Sequence, residues 1–212
     1  MILKLDALNR QTRPLLVASL AVLMAEFGMA CAAIRAASAP PFGPLPLQYE
    51  DYAVWQRQWL EAGEAAHQLD YWKSRLGEVQ PVLQLPTDFP REAGVRYGAA
   101  RQHVVLPTDL AADIRALCRR EGVTAFMVLL AALNVLLYRL TGEQDIRIGV
   151  PNANRNRVET ESIVGFFVNT QVIRCVLDGG RSLQEVLQQV REAALGAQSH
   201  QDLPFEQLVS AL

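Results

Sequence analysis

Two short stretches of period two, set among segments of helical period, constrain this chain more than any other feature. Ile146, Ile148 and Val150 alternate with Asp145, Arg147 and Gly149, and residues 167–177 make a second, longer strand. Alternation puts one row of side chains on a single face of each strand. In the second strand Asn169 and Gln171 share one face, with Val168, Thr170 and Val172 on the other. Strands alternating with helices predict an α/β layered fold.

The helical segments can be read in turn. From Gln48, Tyr52, Trp55 and Trp59 lie three and four apart, and Ala65, Leu69, Trp72 and Leu76 repeat that spacing beyond Gly63. An aromatic stripe of this kind reads as core. Thr108 or Asp109 caps a helix whose buried face is Leu110, Ile114 and Leu117 and which ends at Gly122. Thr124 opens a helix through Tyr138, stopped by Gly142; it is apolar nearly all round and should lie inside. Ser182 and Glu185 form a capping box ahead of an apolar face of Leu183, Val186, Leu187, Val190 and Ala194. Asp202 and Pro204 start a last short helix. Residues 101–106 read as a further strand. Residues 39–46, with four prolines, form an extended linker, and residues 81–98 connect two lobes.

Half of the 212 residues are apolar and a fifth are charged, which suits a packed core. A net charge of −2 leaves no electrostatic footprint for nucleic acid. Cys31, Cys118 and Cys175 are widely spaced, without a C-x-x-C pair, and read as reduced thiols buried as small apolar residues. No metal-ligand spacing, glycine-rich phosphate loop or nucleophile elbow is present. Residues 15–34 are nearly apolar but interrupted by Glu26, and three readings stay open for them: buried helix, signal peptide or membrane anchor. The expectation is a buried helix in a cytoplasmic protein without a membrane span.

Four stretches, in order, resemble the condensation domain of non-ribosomal peptide synthetases, within the chloramphenicol-acetyltransferase-like superfamily. The first is Leu47-Gln48-Tyr49-Glu50-Asp51-Tyr52-Ala53-Val54-Trp55-Gln56. The second is Ile148-Gly149-Val150-Pro151 with Ala153-Asn154-Arg155. The third is Val164-Gly165-Phe166-Phe167-Val168-Asn169-Thr170, and the fourth His200-Gln201-Asp202-Leu203-Pro204-Phe205-Glu206. The resemblance covers roughly residues 19 to 212. It implies a partial two-lobe fold: residues 1–18 are unmatched, residues 19–95 are the C-terminal part of the first lobe with a linker, and residues 96–212 are part of the second lobe.

The resemblance also implies a chemistry. In the family, an amine on one carrier protein attacks a thioester on another, the C–N bond of an amide forms, and a thiol leaves. Both substrates ride on the phosphopantetheine of carrier proteins, so the implied partners are those carriers and neighbouring synthetase domains, with no directly bound cofactor. The family's catalytic signature, His-His-x-x-x-Asp-Gly, has no counterpart in this sequence, whose three histidines are His67, His103 and His200. An imidazole suits that task because it can accept a proton and orient a nucleophile near neutral pH. The expectation is therefore a condensation-domain fragment, inactive alone, with no catalytic residue to assign. Completion by another chain and a non-catalytic carrier-binding module are the alternatives. Apolar faces left uncovered in a half-lobe would favour self-association.

Residue roles divide along the same lines. His67 and His103 lack an acidic partner nearby in sequence and read as surface or packing residues. His200 either bonds backbone or Asp202, or contacts substrate. Asn154 and Arg155 fix the turn after the first strand, or Arg155 meets a carrier phosphate. Tyr49, Asp51, Tyr52, Trp55, Gly165, Phe167, Asn169, Thr170, Asp202, Pro204 and Phe205 are family-motif positions, structural or in a substrate channel. Asp51 equally suits a helix cap.

Overall fold

The structure, a computed structural model, describes residues 27–29, 31–33, 35–36, 47–88 and 103–212. The predicted linker of residues 39–46 and most of the apolar run before Ile34 lie outside the described residues, as does the second half of the 81–98 connection. Among the described residues no single helix is long and apolar enough to cross a membrane.

The chain clusters into two compact units. In one, spanning residues 76–150 and 172–199, α3 (Thr108–Glu121) and α4 (Ala125–Thr141) pack together, and α4 packs on α5 (Leu183–Ser199). The α2 helix (Ala65–Leu76) ends here, and β1 (Asp145–Asn152) and β2 (Asn169–Val176) form a two-stranded sheet. The Leu177 amide donates to the Gln144 carbonyl at 2.8 Å, which sets the end of β2 beside the start of β1 and makes the pair antiparallel. Ile146, Ile173 and Cys175 are fully buried, as the period-two reading requires.

Asp145 organises the charges at this sheet. Its carboxylate takes Arg147 Nη2 and Arg174 Nε, both at 2.8 Å. Arg147 then donates to the carbonyls of Leu76 and Val79 at 2.8 and 3.0 Å, closing off the C-terminus of α2. Burial pushes the Asp145 carboxyl up, but the hydrogen bonds and charges of Arg147 and Arg174 outweigh it and hold the group below its ordinary value.

Several helix ends follow the sequence signals. Thr124 Oγ1 accepts the Met127 amide at 3.3 Å, and Gly142 ends α4 at φ 72. The Ser182–Glu185 box forms: Glu185 Oε2 takes the Ser182 amide at 2.7 Å, and Ser182 Oγ takes the Glu185 amide at 3.3 Å.

Other expectations need correction. The α3 helix starts on Pro107, without a side-chain cap, so neither Thr108 nor Asp109 caps it. Its Leu110, Ile114 and Leu117 are not buried, since Leu110 is exposed and the other two only half-covered. The α4 helix is not interior all round: Leu136 and Leu140 are exposed, while Met127, Leu130, Ala131 and Asn134 are buried. On α5 Val186, Leu187 and Val190 are buried as expected, and the face continues through Ala193 and Ala197, while Leu183 in the first turn is exposed and Ala194 only half-covered. His103 to Leu106 form no strand. Cys31 is exposed and Cys118 half-buried, so only Cys175 packs as a small apolar residue.

Candidate functional site

The second unit, residues 10–75 with 151–171 and 200–212, gathers three of the four sequence stretches that stood out and the Pro151 to Arg155 end of the remaining one. Here α1 (Tyr49–Trp59) opens on Gln48, whose amide donates to Asp51 Oδ2 at 2.8 Å, so Asp51 is the reaching-back member of a capping box. Gly63, at φ 120, breaks the path between α1 and α2 across a π-helical turn (Leu60–Glu64), a conformation that favours glycine. The aromatic stripe of α1 is half-buried rather than core: Tyr52, Trp55 and Trp59 keep part of their surface, and the fully covered residues come later, at Leu60, Gln68, Trp72 and Leu76.

Tyr49 and Tyr52 instead clasp the loop before β2. Their rings meet Phe167 at 5.3 and 4.7 Å between centroids, and the Tyr49 hydroxyl donates to the Phe166 carbonyl at 2.7 Å. Tyr49 also explains Gly165. A Cβ added there would stand 2.1 Å from Tyr49 Cδ2, so only a glycine lets the ring lie against the backbone.

Two arginines complete the aromatic layer. Arg155 donates to the carbonyls of Thr160 and Ile163 and stacks 4.1 Å above Phe167. Arg157 lies 4.1 Å above Trp55, which itself stacks on Trp59. Arg155 thereby pins the 3-10 turn Val158–Thr160 to the loop that leads into β2.

The residues after α5 are held by side chains that leave little unpaired. Asn169 Nδ2 donates to the carbonyls of Gln201 and Leu203, each at 2.8 Å. Its Oδ1 accepts the amides of Thr170 and Phe205 at 2.9 and 3.1 Å. That fills the hydrogen-bonding capacity of an asparagine side chain, so Asn169 sets the turn and the start of α6 (Phe205–Ala211) and has no polar atom to spare for a ligand. Gln171 shares that face, with its Nε2 3.3 Å from Gln201 Oε1, which also meets Asn152 Nδ2.

Gln68, which sequence reasoning misses, is the second anchor. It is 1% exposed; its Oε1 accepts the amides of Asp202 and Leu203 at 3.0 and 2.9 Å, and its Nε2 donates to Glu64 at 3.0 Å and to Asp202 at 3.4 Å. The available signal is a polar residue four before Trp72, on the helix's covered stripe. Trp72 Nε1 donates to the His200 carbonyl at 2.9 Å. The His200 ring stacks on Tyr71 at 3.7 Å and lies 5.6 Å from His67. His67 does have an acidic neighbour, Glu64, 3.3 Å away and one helical turn earlier.

Between these clamps lies a cavity of about 240 Å³. Tyr52 and Gln56 of α1, Asn154, the stretch from Phe166 to Thr170 that leads into β2, and Asp202 with Pro204 to Glu206 line it. Burial raises the Asp202 carboxyl above its ordinary value; the Gln68 bond opposes this, nearby Glu64 adds to it, and Arg157 works against it. The Tyr52 phenol is likewise raised, by burial first and by Asp202 second. Asn154 sits at φ 50 in the left-handed region, with its amide donating to Asn152 Oδ1 at 3.2 Å. Pro204 caps α6 with its carbonyl, which accepts from Gln207 and Leu208 at 3.0 and 3.1 Å. No histidine lines the cavity. Among the described residues no group of three or more His, Cys, Asp or Glu side chains is placed to hold a metal.

Comparison with known proteins agrees with the resemblance. The sequence profile of the condensation domain matches residues 17–212. A linear gramicidin synthase polypeptide of Brevibacillus parabrevis is 49% identical over 194 residues, which is 92% of this chain and 4% of that protein. The X-domain from teicoplanin biosynthesis, solved in complex with OxyB, superposes with a TM-score of 0.80 at 29% identity, covering 92% of this chain and 44% of that one. SgcC5 from Streptomyces globisporus gives a TM-score of 0.72 at 34% identity, covering 85% and 40%. The chain thus spans less than half of each of these solved structures.

Proposed function

The chain belongs to the condensation-domain family, and from that premise we propose that it supplies a supporting scaffold of such a domain and does not form amide bonds by itself. One observation carries this reading. Amide formation in the family calls for a histidine beside the attacking amine, whereas the three histidines of this chain are separate in sequence and none lines the cavity. Several motif residues are instead spent on backbone: Asn169 on the turn after α5, where Gln68 joins it, Arg155 on the loop before β2, and Asp51 on the N-terminus of α1. Such residues position, and none of them is placed to act as the base.

On this reading the substrates are acyl and aminoacyl thioesters on the phosphopantetheine of carrier proteins, the partners are those carriers with the neighbouring synthetase domains, and the setting is the cytoplasm. The test is an amide-formation assay with two loaded carrier proteins, followed by mass spectrometry of the carriers. The expected result is no peptide on the acceptor carrier with this chain alone. Clear turnover by the chain alone would overturn the proposal.

A further inference from the structure

We propose that the cavity beside β2 is a subsite for a short alkylammonium group. Its wall carries the carboxyl groups of Asp202 and Glu206 and the rings of Tyr52, Phe166, Phe167 and Phe205, and no Lys, Arg or His lines it. Carboxylates and aromatic faces both attract an organic cation, the rings through their quadrupole. The nearby guanidinium groups are engaged elsewhere, Arg155 on two carbonyls and the outer face of Phe167, Arg157 on Trp55.

Two asparagines also line the cavity, but neither offers it a free acceptor: the Asn169 side chain is fully paired, and the buried Oδ1 of Asn154 is shut off from solvent.

Gln68 meets one Asp202 oxygen at the long distance of 3.4 Å, which leaves that carboxylate capacity for a further donor. Burial disfavours its charge, and a cation in the cavity would restore it. An ammonium group brings three donors and no acceptor, matching carboxyl groups and aromatic faces. The 240 Å³ volume lies below the roughly 300–1,000 Å³ of sites for drug-sized ligands, so a short amine fits and a cofactor does not. Phe166 is 75% exposed and Glu206 is exposed, so the mouth faces solvent.

Binding here needs no amide formation, so a chain that is inert in the two-carrier assay still binds the amine. Calorimetric titration of the full chain with n-butylammonium, butan-1-ol and butyrate tests the site. The ammonium should bind saturably and about tenfold or more tighter than the alcohol, as expected for hydrogen bonds to charged groups, and butyrate should not bind. Glu206→Gln, on the exposed rim where the fold is not at stake, should weaken the ammonium several-fold. Asp202→Asn should weaken it more. Equal affinity for alcohol and ammonium, unsaturable uptake, or ammonium affinity unchanged in both carboxylate variants would overturn the assignment.

Discussion

Replacing Gly165 by alanine tests whether the first and third motif stretches are joined by a steric lock. The added Cβ would stand 2.1, 2.7 and 2.8 Å from Tyr49 Cδ2, Cε2 and Cγ, so the clash falls on the root of the ring rather than on a flexible tip. The ring must swing away, and doing so gives up two things. The hydroxyl bond to the Phe166 carbonyl, 2.7 Å long, contributes about 0.5–1.5 kcal/mol. The edge contact with Phe167, at 87° and 5.3 Å, contributes about 0.5–1.5 kcal/mol beyond its area. Gly165→Ala should therefore cost about 1–3 kcal/mol, the range of overpacked sites. Urea unfolding followed by tryptophan fluorescence reports on this unit, since Trp55, Trp59 and Trp72 all lie in it. Removing the ring first should remove the clash. In a Tyr49→Ala background the same Gly165→Ala change should cost close to nothing, a coupling of about 1–3 kcal/mol in the double-mutant cycle. If Gly165→Ala costs as much without the ring as with it, the lock is not Tyr49 and the reasoning fails.

Two further outcomes follow from the clamps. Gln68→Leu keeps the volume but leaves the amides of Asp202 and Leu203 unpaired, and at about 1–3 kcal/mol for each buried unpaired group the loss should be about 2–6 kcal/mol, read as a drop in urea midpoint; an unchanged midpoint would show that water replaces the glutamine. Asp145, whose folded carboxyl is held below its unfolded value, contributes stability that is present above the ordinary carboxylate value and lost as pH falls through the lowered folded one. Asp145→Asn should thus be less stable than the parent at neutral pH, with the gap closing in acid; a gap that stays constant down to acid pH would exclude the carboxylate as its source.

Much of this arrangement is legible in the sequence because local chemistry governs it. Thr124, Gly142 and the Ser182–Glu185 pair act on backbone groups within four residues of themselves, so their roles can be read one segment at a time. The β2 alternation is readable for the same reason, with Gln171, Ile173 and Cys175 buried on one face. Where the reading fails, the deciding partner is remote. Gln68 looks like one more polar residue in a helix until the amides of Asp202 and Leu203 are placed against it. The faces of α3 and α4 look buried because their patterns are apolar, yet Leu110, Leu136 and Leu140 stay exposed among the described residues: periodicity says which side is apolar, not whether anything covers it.

The aromatic stripe of α1 shows what that distinction means for function. Tyr52, Trp55 and Trp59 carry a core pattern, but they meet a loop, through Phe167 and Arg157, where a second helical layer would have buried them. A loop covers a helix incompletely, and the gap is the cavity that Tyr52 lines. Its far wall is the turn from Asp202 to Phe205, held by Gln68 from α2 and by Asn169 from β2. The four stretches that make this chain recognisable are therefore recognisable for a shared reason. Tyr49 requires Gly165, Arg155 requires the face of Phe167, and Asn169 requires the backbone of the turn before α6. Each fixes the residue types of another, so the motifs encode one another's packing, and the groups that this packing leaves at the cavity include Tyr52, Asp202 and Glu206.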